Sequence, residues 1–378
     1  MSEVVVAGVG MHGFGRWEDE GLAQLGASAV REALDDAGVG RGGFQAAYCA
    51  TAYGGVATGH KVLGALGMTG MAIVDVEAGC ASGAAALMLA ASAVRSGELD
   101  TALVFGVEKM PKGMIRSSFF EPWQEQAGMA ATPAYFALRA QRLMRSSGLT
   151  KDDLAAVVVK NRRQGASNGR AMFRSPVEVS QVLASRVVCE PLHLWMLCSP
   201  NEGAAAVVLR GKDAAGARAV RLDAAVLRSH LPGPVLSEST PMAGLADDSL
   251  PSASALAAAA AYEEAGVGPA DLDLVECQDT DAARELLSYE ELGLCEPGDQ
   301  AKLVALGDNA MGGRLPVNPS GGLLSKGEPL GASALGQVVE LVEQLRGESG
   351  ARQVPGAHLA LAHTVGRGAN AGVVILSR

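Results

Sequence analysis

The sequence has few aromatic and few charged residues, and both shortages limit the kind of protein it can encode. Of its 378 residues, 4% are aromatic, 19% are charged and 48% are hydrophobic. This composition argues against a disordered chain, because disordered segments combine low hydrophobicity with high charge. It predicts a large core of alanine, valine, leucine and glycine, and the length favours two domains or one duplicated domain.

Basic clusters and targeting segments are also missing. The formal net charge is −10 and no run of lysine or arginine occurs, so we expect no nucleic-acid partner, which would require neutralisation of phosphates. The start, MSEVVVAGVG, lacks the basic and long apolar regions of a signal peptide. The most apolar stretch, Ala84 to Val94, is too short to cross a bilayer. We therefore expect a cytoplasmic α/β protein without a membrane partner.

The cysteines form no CxxC pair, which argues against a disulfide framework and against a zinc ribbon. They are scattered over the chain at Cys49, Cys80, Cys189, Cys198, Cys277 and Cys295. Cys80 stands apart in VDVEAGCASGAAALML, where a β-branched run gives way to an alanine-rich helix. A buried inert thiol and a nucleophile on a helix N-terminus are both open at this point.

An internal repeat indicates how the chain is organised. The segment Ala27 to Ala50, ASAVREALDDAGVGRGGFQAAYCA, resembles Ala255 to Gln278, ALAAAAAYEEAGVGPADLDLVECQ. Each predicts a helix, a glycine-containing C-cap, a loop and a strand. An apolar strand precedes both copies, and a further helix and strand follow both. Two copies of so long a period predict a duplicated βα domain, with parallel-rich sheets covered by helices.

We place the two halves at residues 1–215 and 216–378. Residues of about 110–190 have no counterpart in the second half, and they contain a predicted loop and a predicted helix, TPAYFALRAQRLMRSSG. Because long loops in compact domains tend to be functional, we expect a substrate-covering subdomain there.

Three glycines near the N-terminus, Gly8, Gly10 and Gly13, form a G-x-G-x-x-G pattern. This pattern indicates dinucleotide binding only where a helix opens at the glycines and an acidic residue ends the next strand. Helical periodicity begins here only near Leu22, and the next strand ends in small residues. We therefore interpret the glycines as a tight turn after the first strand and expect no nicotinamide cofactor.

Several segments together resemble the thiolase superfamily, and specifically its sterol-carrier-protein-2 type. They include AGCASG and GVEKM in the first half, NPSGG and GEPLGA in the second, and a stretch from VVVKNRRQG to CSPNEGAAAVVL. The resemblance covers almost the whole chain. It implies the duplicated thiolase fold, with five α/β/α/β/α layers and two mixed sheets, usually as a dimer. It also implies acyl transfer through a cysteine thioester, coupled to making or breaking a carbon–carbon bond in an acyl-CoA.

Residue by residue, the resemblance implies that Cys80 is the nucleophile, placed where the helix dipole favours a thiolate. Gly366 and Gly368 match the family's C-terminal turn, where a backbone N–H joins that of the nucleophile in an oxyanion hole. An ordinary glycine turn is the alternative for these two residues.

The sequence departs from the family at its expected acid/base positions. Glu328 stands in Gly-Glu-Pro where thiolases carry Gly-His-Pro, and Gln278 and Asp279 stand where this type usually has His-Asp. The second catalytic cysteine expected near the C-terminal turn is absent, and His363 and Thr364 lie there instead. Gln278 is then a candidate amide donor to an oxyanion-bound water, and His363 is either a proton relay or a structural residue.

Glu328 raises a question of charge. A carboxylate beside Cys80 opposes thiolate formation, since like charges repel. We therefore expect Glu328 to be neutral while Cys80 is a thiolate, or to act as a base once Cys80 is acylated. Asp279, Asp281 and Glu328 could also form a carboxylate cluster for an aldol or Claisen step. We predict no metal, although three acids can bind one, and no tightly bound cofactor, with coenzyme A as substrate or co-substrate.

Three functions remain open from the sequence. The first is a thiolase-type acyltransferase acting on β-ketoacyl-CoA thioesters through a Cys80 acyl-enzyme, as a homodimer. The second is an aldolase-type lyase that works with a small zinc-ribbon/OB-fold partner subunit. The third is a catalytically poor subunit whose role is assembly or acyl-CoA binding. The acyl chain and the direction of the reaction are not determined by the sequence.

Overall fold

The computed structural model describes residues 3–113, 122–126, 131–214, 216–231, 250–366 and 370–378. Gly368 therefore lies outside the described residues. The strands are β1 Val4–Gly15, β2 Ala46–Ala50, β3 Ala72–Val76, β4 Thr101–Lys109, β5 Val187–Cys189, β6 Leu192–His193, β7 Glu202–Gly211, β8 Val220–Ser229, β9 Leu274–Glu276, β10 Leu359–Gly366 and β11 Asn370–Ser377. The helices are α1 Leu22–Ala37, α2 Thr58–Ala65, α3 Ser82–Arg95, α4 Pro122–Gln126, α5 Thr132–Ser147, α6 Lys151–Gly165, α7 Val179–Ala184, α8 Ala253–Ala265, α9 Ala282–Glu291, α10 Gln300–Leu306, α11 Gly322–Lys326 and α12 Leu330–Arg346.

The sheet order repeats between the two halves of the chain. Nine strands run in the order β3-β2-β4-β7-β1-β8-β11-β10-β9. The first half therefore contains the series β2-β4-β7-β1, and the second half contains β9-β10-β11-β8 with each strand in the corresponding place. The half-sheets meet where β1 pairs with β8 through Val5–Arg221 and Val6–Val220. This pairing of only two residues from each strand joins two mixed half-sheets, as the duplication predicts.

Helices cover both faces of each half-sheet. The helices α3 and α12 contact each other and lie between the half-sheets, while α1 packs on β1 and β7 and α8 packs on β8 and β11. The central core between the half-sheets is made of small and branched residues, among them Ala86, Leu87, Val339 and Val342. The layers thus follow the order α/β/α/β/α, and the predicted duplicated fold is confirmed.

The predicted repeat corresponds to equivalent elements in the structure. The helices α1 and α8 both end at a glycine with positive φ, at Gly38 (63°) and Gly266 (69°). Glycine adopts this left-handed conformation without the steric cost that a Cβ adds, so it ends the helix and lets the chain turn toward the next strand. The strand pairs β1 and β8, β2 and β9, and β4 and β10 follow the same order around these helices.

The interpretation of the N-terminal glycines as a turn is wrong. The glycines Gly8, Gly10 and Gly13 all lie inside β1, which continues to Gly15. A Cβ on Gly10 would lie 2.3 Å from the carbonyl oxygen of Ala29 in α1, and one on Gly8 would meet the same helix. Gly8 and Gly10 therefore allow α1 to approach β1 closely, which is a packing role.

The segment without a counterpart in the second half folds mainly as α5, α6, α7 and the short β5–β6 pair. The predicted helix is α5, and its sequence neighbour α6 packs against α11 and α9 of the second half. The loop predicted before α5 lies mostly outside the described residues. A substrate-covering role for this segment, and the division of the chain at residue 215, stay predictions.

No helix in the described ranges is both long and apolar enough to span a membrane.

Candidate active site

Cys80 lies where the sequence predicts it, at the entry to a helix. It is the middle residue of a short 3-10 turn, Gly79–Ala81, that leads directly into α3. Ser82 Oγ closes this turn by donating to the Gly79 carbonyl (2.6 Å) and accepting from the Ala78 N–H (2.8 Å). The Cys80 residue is 8% exposed, so its sulfur is held in a rigid and nearly buried turn.

Near the Cys80 turn, Cys198 and Ser199 of the first half form backbone hydrogen bonds with two loops of the second half. The Cys198 N–H donates to the Thr280 carbonyl at 2.9 Å, and the Glu328 N–H donates to the Ser199 carbonyl at 2.9 Å. Backbone hydrogen bonds fix the relative positions of the segments that they join. Cys198 and Glu328 are therefore fixed side by side although they are far apart in sequence.

The Glu328 carboxyl is 5% exposed and accepts hydrogen bonds at both oxygens. Gln278 Nε2 donates to Oε1 at 2.9 Å, and Cys198 Sγ donates to Oε2 at 3.3 Å. These two donors orient the carboxyl group, because each oxygen is held by a different neighbour.

Thr364 connects the Glu328 carboxyl group to the Gly79–Ala81 turn that contains Cys80. Its Oγ1 donates to Gln278 Oε1 at 2.6 Å and lies 3.3 Å from the Cys80 carbonyl oxygen. A hydroxyl has one hydrogen, so the shorter contact takes it and fixes the orientation of the Gln278 amide, with Nε2 toward Glu328. Cys80, Thr364, Gln278, Glu328 and Cys198 thus form one continuous chain of contacts.

Cys198 was not among the predicted site residues. Burial raises the pKa of the Cys198 thiol well above its ordinary value, and Glu328, Asp279 and Cys80 raise it further. An electrostatic effect of Cys80 on Cys198 requires the two thiols to lie near each other. The sequence signal was the CSP segment, which the resemblance uses for family membership but not for a role in the site.

Asp279 lies near Cys198, but its hydrogen bonds link the loop that carries it to α11 and α6. Its carboxyl accepts from the N–H groups of Leu323 (2.6 Å) and Leu324 (3.1 Å) at the start of α11, and from Asn161 Nδ2 (2.9 Å). Burial raises the pKa of Asp279 well above its ordinary value, and the charge of Glu285 adds to the effect. The acid/base role predicted for Asp279 stays a prediction, and its contacts favour a positioning role.

A carboxylate cluster of Asp279, Asp281 and Glu328 stays a prediction, and the hydrogen bonds and ion pair that the structure describes for Asp281 are with other groups. Asp281 instead accepts from the Arg284 N–H at 3.0 Å, which caps α9, and pairs with the Arg139 guanidinium. Among the residues that the structure describes, no group of three or more histidine, cysteine or acidic residues is placed to hold a metal ion.

The proton-relay role of His363 stays a prediction, and the position of its side chain favours the structural alternative. Successive side chains of a strand point to opposite faces, and Thr364 of β10 points toward Cys80. His363 accordingly points to the other face, where its Nε2 lies 2.9 Å from Ser254 Oγ in α8. The half-sheet itself separates the imidazole from the thiol.

Gly366 lies against the Gly79–Ala81 turn that contains Cys80. A Cβ on Gly366 would lie 2.1 Å from the Ala78 carbonyl oxygen and 3.2 Å from the Ala81 nitrogen. Only glycine allows the end of β10 to approach this closely. That position is compatible with the oxyanion turn that the resemblance implies for Gly366 and Gly368, which stays a prediction.

The loop that carries Glu328 depends on a second close approach. Gly327 has a φ of 81°, and a Cβ on it would lie 2.0 Å from Asn201 Nδ2. Asn201 Nδ2 donates to the Lys326 carbonyl at 2.7 Å, so the amide occupies the space a side chain would need. The loop geometry that presents Glu328 therefore requires glycine at this position.

On the other side of Glu328, a buried carboxyl joins the two halves of the chain. Glu108 at the end of β4 accepts from the N–H groups of Ala52 (2.8 Å), Tyr53 (3.0 Å) and Gly331 (3.1 Å), and from Thr51 Oγ1 (3.1 Å). Burial raises the pKa of Glu108, and these hydrogen bonds oppose the rise. The contact with Gly331 ties the start of α12, and the Glu328 loop before it, to the first half.

Comparison with known proteins agrees with this geometry. Residues 4–190 match the family model described as "Thiolase, N-terminal domain", and residues 238–378 match "Thiolase C-terminal domain-like". The chain belongs to the thiolase superfamily and is of its sterol-carrier-protein-2 type.

Three curated relatives illustrate the range of this family. The chain is 36% identical to benzoylsuccinyl-CoA thiolase subunit BbsB of Thauera aromatica, over 98% of this chain and 96% of that protein. It is 35% identical to acetyl-CoA acetyltransferase of Methanothermobacter thermautotrophicus, over the full length of both. It is 34% identical to human sterol carrier protein 2, over 97% of this chain and 70% of that protein. These relatives support thiolase-like chemistry on CoA thioesters for this family.

Two solved structures share the fold. An Ltp2-ChsH2(DUF35) aldolase superposes with a TM-score of 0.85 at 23% identity, covering 99% of this chain and 97% of that chain. A monomeric SCP2-thiolase like protein type 1 from Mycobacterium smegmatis superposes with a TM-score of 0.76 at 17% identity, covering 99% and 77%. At these identities the superpositions establish the fold alone.

Proposed function

We propose that this thiolase is an acyltransferase that acts on β-ketoacyl-CoA thioesters through a Cys80 acyl-enzyme, with cleavage or formation of a carbon–carbon bond. The observation that carries the proposal is the chain of contacts from the Cys80 carbonyl through Thr364 and Gln278 to Glu328. It supports the proposal because covalent acyl transfer needs a nucleophile with an ionisable group close to it, and this chain of contacts links Cys80 to the Glu328 carboxyl.

In the cleavage direction, the Cys80 thiolate attacks the keto carbonyl of the substrate. The bond between the keto carbon and the α-carbon breaks, which leaves the acyl group on Cys80 and a thioester carbanion that takes up a proton. The thiol of coenzyme A then attacks the acyl-enzyme, and Glu328 accepts its proton as Cys80 leaves as a thiolate. Backbone N–H groups of the Cys80 turn and the Gly366 turn would stabilise the tetrahedral oxyanion.

The test is the intact mass of the protein after mixing with a panel of acyl-CoA and 3-ketoacyl-CoA thioesters. We expect a mass increase equal to the acyl group, mapped to the Cys80 peptide and absent in Cys80→Ala. The matched control is Cys295→Ala, whose thiol is half-buried beyond α9 and should leave the adduct intact. An unmodified wild-type protein, or an adduct that persists in Cys80→Ala, would contradict the proposal.

A second candidate is an aldolase-type lyase that works with a small zinc-ribbon/OB-fold partner subunit. The fold shared with an Ltp2-ChsH2(DUF35) aldolase and the word "subunit" in the name of the Thauera relative support it. This candidate predicts that turnover survives Cys80→Ala and is lost in Glu328→Gln. The acyltransferase predicts that both variants are inactive, so the pair separates the two functions.

We also propose that the chain forms a homodimer through β3. This strand ends the sheet and pairs within the described residues only with β2, and its Val74 is 43% exposed. An exposed sheet edge can pair with another strand. Light scattering should give a dimer mass for the wild type and a monomer mass for Val74→Lys. The same mass for both proteins would place any interface elsewhere.

A further inference from the structure

Cys198 is an ionisable member of the contact chain around Cys80 to which neither the sequence nor the family resemblance assigns a role. Its Sγ donates to Glu328 Oε2 at 3.3 Å, and it lies within electrostatic range of Cys80. The thiol is therefore a second ionisable sulfur in the same site, paired with a carboxyl group.

The position of this sulfur is determined from two sides. Its own backbone is bonded to Thr280, and the neighbouring Ser199 carbonyl is bonded to the Glu328 N–H. Residues 197–200 also form two single-residue β-bridges with the second half, one between Leu197 and Asp281 and one between Pro200 and Glu328. A catalytic group must be held within a fraction of an ångström of its working position, and these bonds supply that restraint.

We propose that Cys198 is a catalytic residue, whose thiol gives a proton to the substrate α-carbon during cleavage and whose thiolate removes that proton during condensation. This inference rests on the proposed acyltransferase function and names the proton donor that its cleavage step requires. The resemblance places the family's second cysteine near the C-terminal turn, where this chain has none; Cys198 comes from a different segment.

The step balances in protons and electrons. When the carbon–carbon bond breaks, its electron pair stays on the α-carbon, which takes the proton from Cys198 Sγ and leaves a Cys198 thiolate. The incoming coenzyme A thiol loses its proton to Glu328, and Glu328 passes it to Cys198. Cys80 is released as a thiolate, so the site returns to its starting state without an oxidant or reductant.

The surroundings of Cys198 suit both directions of this transfer. Burial and the Glu328 carboxyl raise the pKa of the thiol, so it keeps its proton at neutral pH and is available as a donor. A carbanion next to a thioester is far more basic than a thiolate, so donation to it remains favourable. The thiolate formed is in turn a strong base, because basicity rises with pKa.

The neighbouring groups are committed to other contacts. Thr364 gives its one proton to Gln278, and the Gln278 amide is not an acid at this pH. Asp279 accepts from two backbone N–H groups and from Asn161, and His363 lies on the far face of the half-sheet. While Cys80 carries the acyl group, Cys198 and Glu328 are the side chains of the contact chain that can exchange a proton.

The experiment compares wild type, Cys198→Ala, Cys198→Ser and Cys295→Ala in two assays. The first measures acyl transfer from an acyl-CoA to Cys80 by intact mass, which involves no carbon–carbon step. The second measures exchange of the α-protons of the same acyl-CoA with deuterated water by NMR, which requires a base at the α-carbon. The acyl-CoA used is the one that gives the largest Cys80 adduct with the wild-type protein.

We expect both Cys198 variants to form the Cys80 adduct and to lose α-proton exchange by about a hundredfold to ten-thousandfold, the usual contribution of a positioned acid or base. Cys295→Ala should match the wild type in both assays. Circular dichroism identifies a misfolded Cys198→Ala, and Cys198→Ser, which keeps the size of the side chain, then decides the question.

Exchange at the wild-type rate in a folded Cys198 variant would overturn the role of Cys198 and leave the proposed function intact. An adduct mapped to Cys198 in place of Cys80 would overturn it as well, because the residue would then be a nucleophile. Absence of any adduct in the wild-type protein would instead defeat the acyltransferase proposal itself.

Discussion

Gln278 Nε2 lies 2.9 Å from Glu328 Oε1, and this contact joins two loops separated by 50 residues. The amide oxygen accepts a short hydrogen bond from Thr364, which favours this orientation of the amide. Glu328 therefore meets a fixed donor on one oxygen and the Cys198 thiol on the other. The Cys80 turn, the strand β10 and the Glu328 loop are consequently linked by one set of contacts.

Replacement of Glu328 should change the reactivity of Cys198. The Glu328 carboxyl raises the pKa of this thiol, so Glu328→Gln should lower that pKa toward the ordinary value. Alkylation by iodoacetamide requires the thiolate, so its rate at Cys198 should rise about tenfold for each unit of pKa lost. Peptide mass mapping at fixed pH measures the rate. The control is Glu264→Gln, an exposed partner of Arg95, and an equal rise in that variant would contradict the assignment.

The Thr364 hydroxyl should matter for activity more than for folding. Thr364→Val removes the donor to Gln278 and frees the amide to rotate, which leaves Glu328 less well oriented. We expect a stability loss of about 1–3 kcal/mol from the buried acceptor left without its donor. We expect turnover to fall by about tenfold or more, because misplaced acid/base groups are costly.

The matched variant for this test is Thr58→Val. It removes a comparable hydroxyl, which donates to the Gly55 carbonyl at 2.9 Å outside the contact chain. Thr58→Val should lose stability by a similar amount in urea denaturation and keep its turnover. Equal losses of turnover in the two variants would show that the effect is one of folding.

Gly327 offers a test of the loop geometry. Gly327→Ala combines a backbone conformation essentially restricted to glycine (φ 81°, ψ 176°) with a clash against Asn201 Nδ2, whereas Gly347→Ala needs only the left-handed conformation (φ 78°, ψ 25°) and has open space around the new Cβ. The control should lose about 1–2 kcal/mol, the cost of the left-handed conformation for a residue with a Cβ. Gly327→Ala should lose clearly more, and its turnover should fall as Glu328 moves. Equal free energies of unfolding for the two variants would contradict the clash.

Glu108 should make stability fall as pH rises. Its raised pKa means that the folded protein holds this proton more tightly than the unfolded chain does. The free energy of unfolding contributed by Glu108 is therefore largest below the unfolded value near 4.5 and is lost as pH rises through the raised pKa of the folded state. Glu108→Gln should remove this slope, measured by urea denaturation at a series of pH values. The control variant Glu263→Gln, at an exposed position, should keep the decrease of the free energy of unfolding with rising pH.

The same Glu108→Gln variant should also be less stable at acidic pH, below the titration of the wild-type carboxyl. The new amide NH₂ faces backbone N–H donors on one side, so at least one buried donor loses its acceptor. We expect a cost of about 1–3 kcal/mol. Unchanged stability under these conditions would show that the Ala52, Tyr53 and Gly331 contacts do not hold the loops together.

His363 should be a structural residue. His363→Leu removes the contact with Ser254 in α8 and should lower stability by about 1–2 kcal/mol. The pH profile of turnover should stay that of the wild type, because the imidazole lies across the half-sheet from Cys80. If the pH profile of turnover lost one of its limbs in His363→Leu while the folded fraction stayed unchanged, His363 would be a proton relay.

Contiguous residues were sufficient to predict the duplicated fold and the place of Cys80. The AGVG caps, the alanine-rich helices and the apolar strands are local signals, since helix ends and periodicity are written in neighbouring residues. The correspondence of β2-β4-β7-β1 with β9-β10-β11-β8 follows from the same repeated pattern. The sequence by itself thus determined the architecture and the entry of a cysteine into a helix.

Tertiary structure alone decided which groups surround that cysteine. The pattern of Gly8 and Gly10 is typical of a turn, and their contact with α1 is made by residues that are distant in the sequence, so neighbouring residues do not indicate it. The face of β10 that His363 occupies depends on which layer packs on each side. Cys198 and Glu328 are 130 residues apart, and their pairing exists only because two loops of the second half close on one segment of the first.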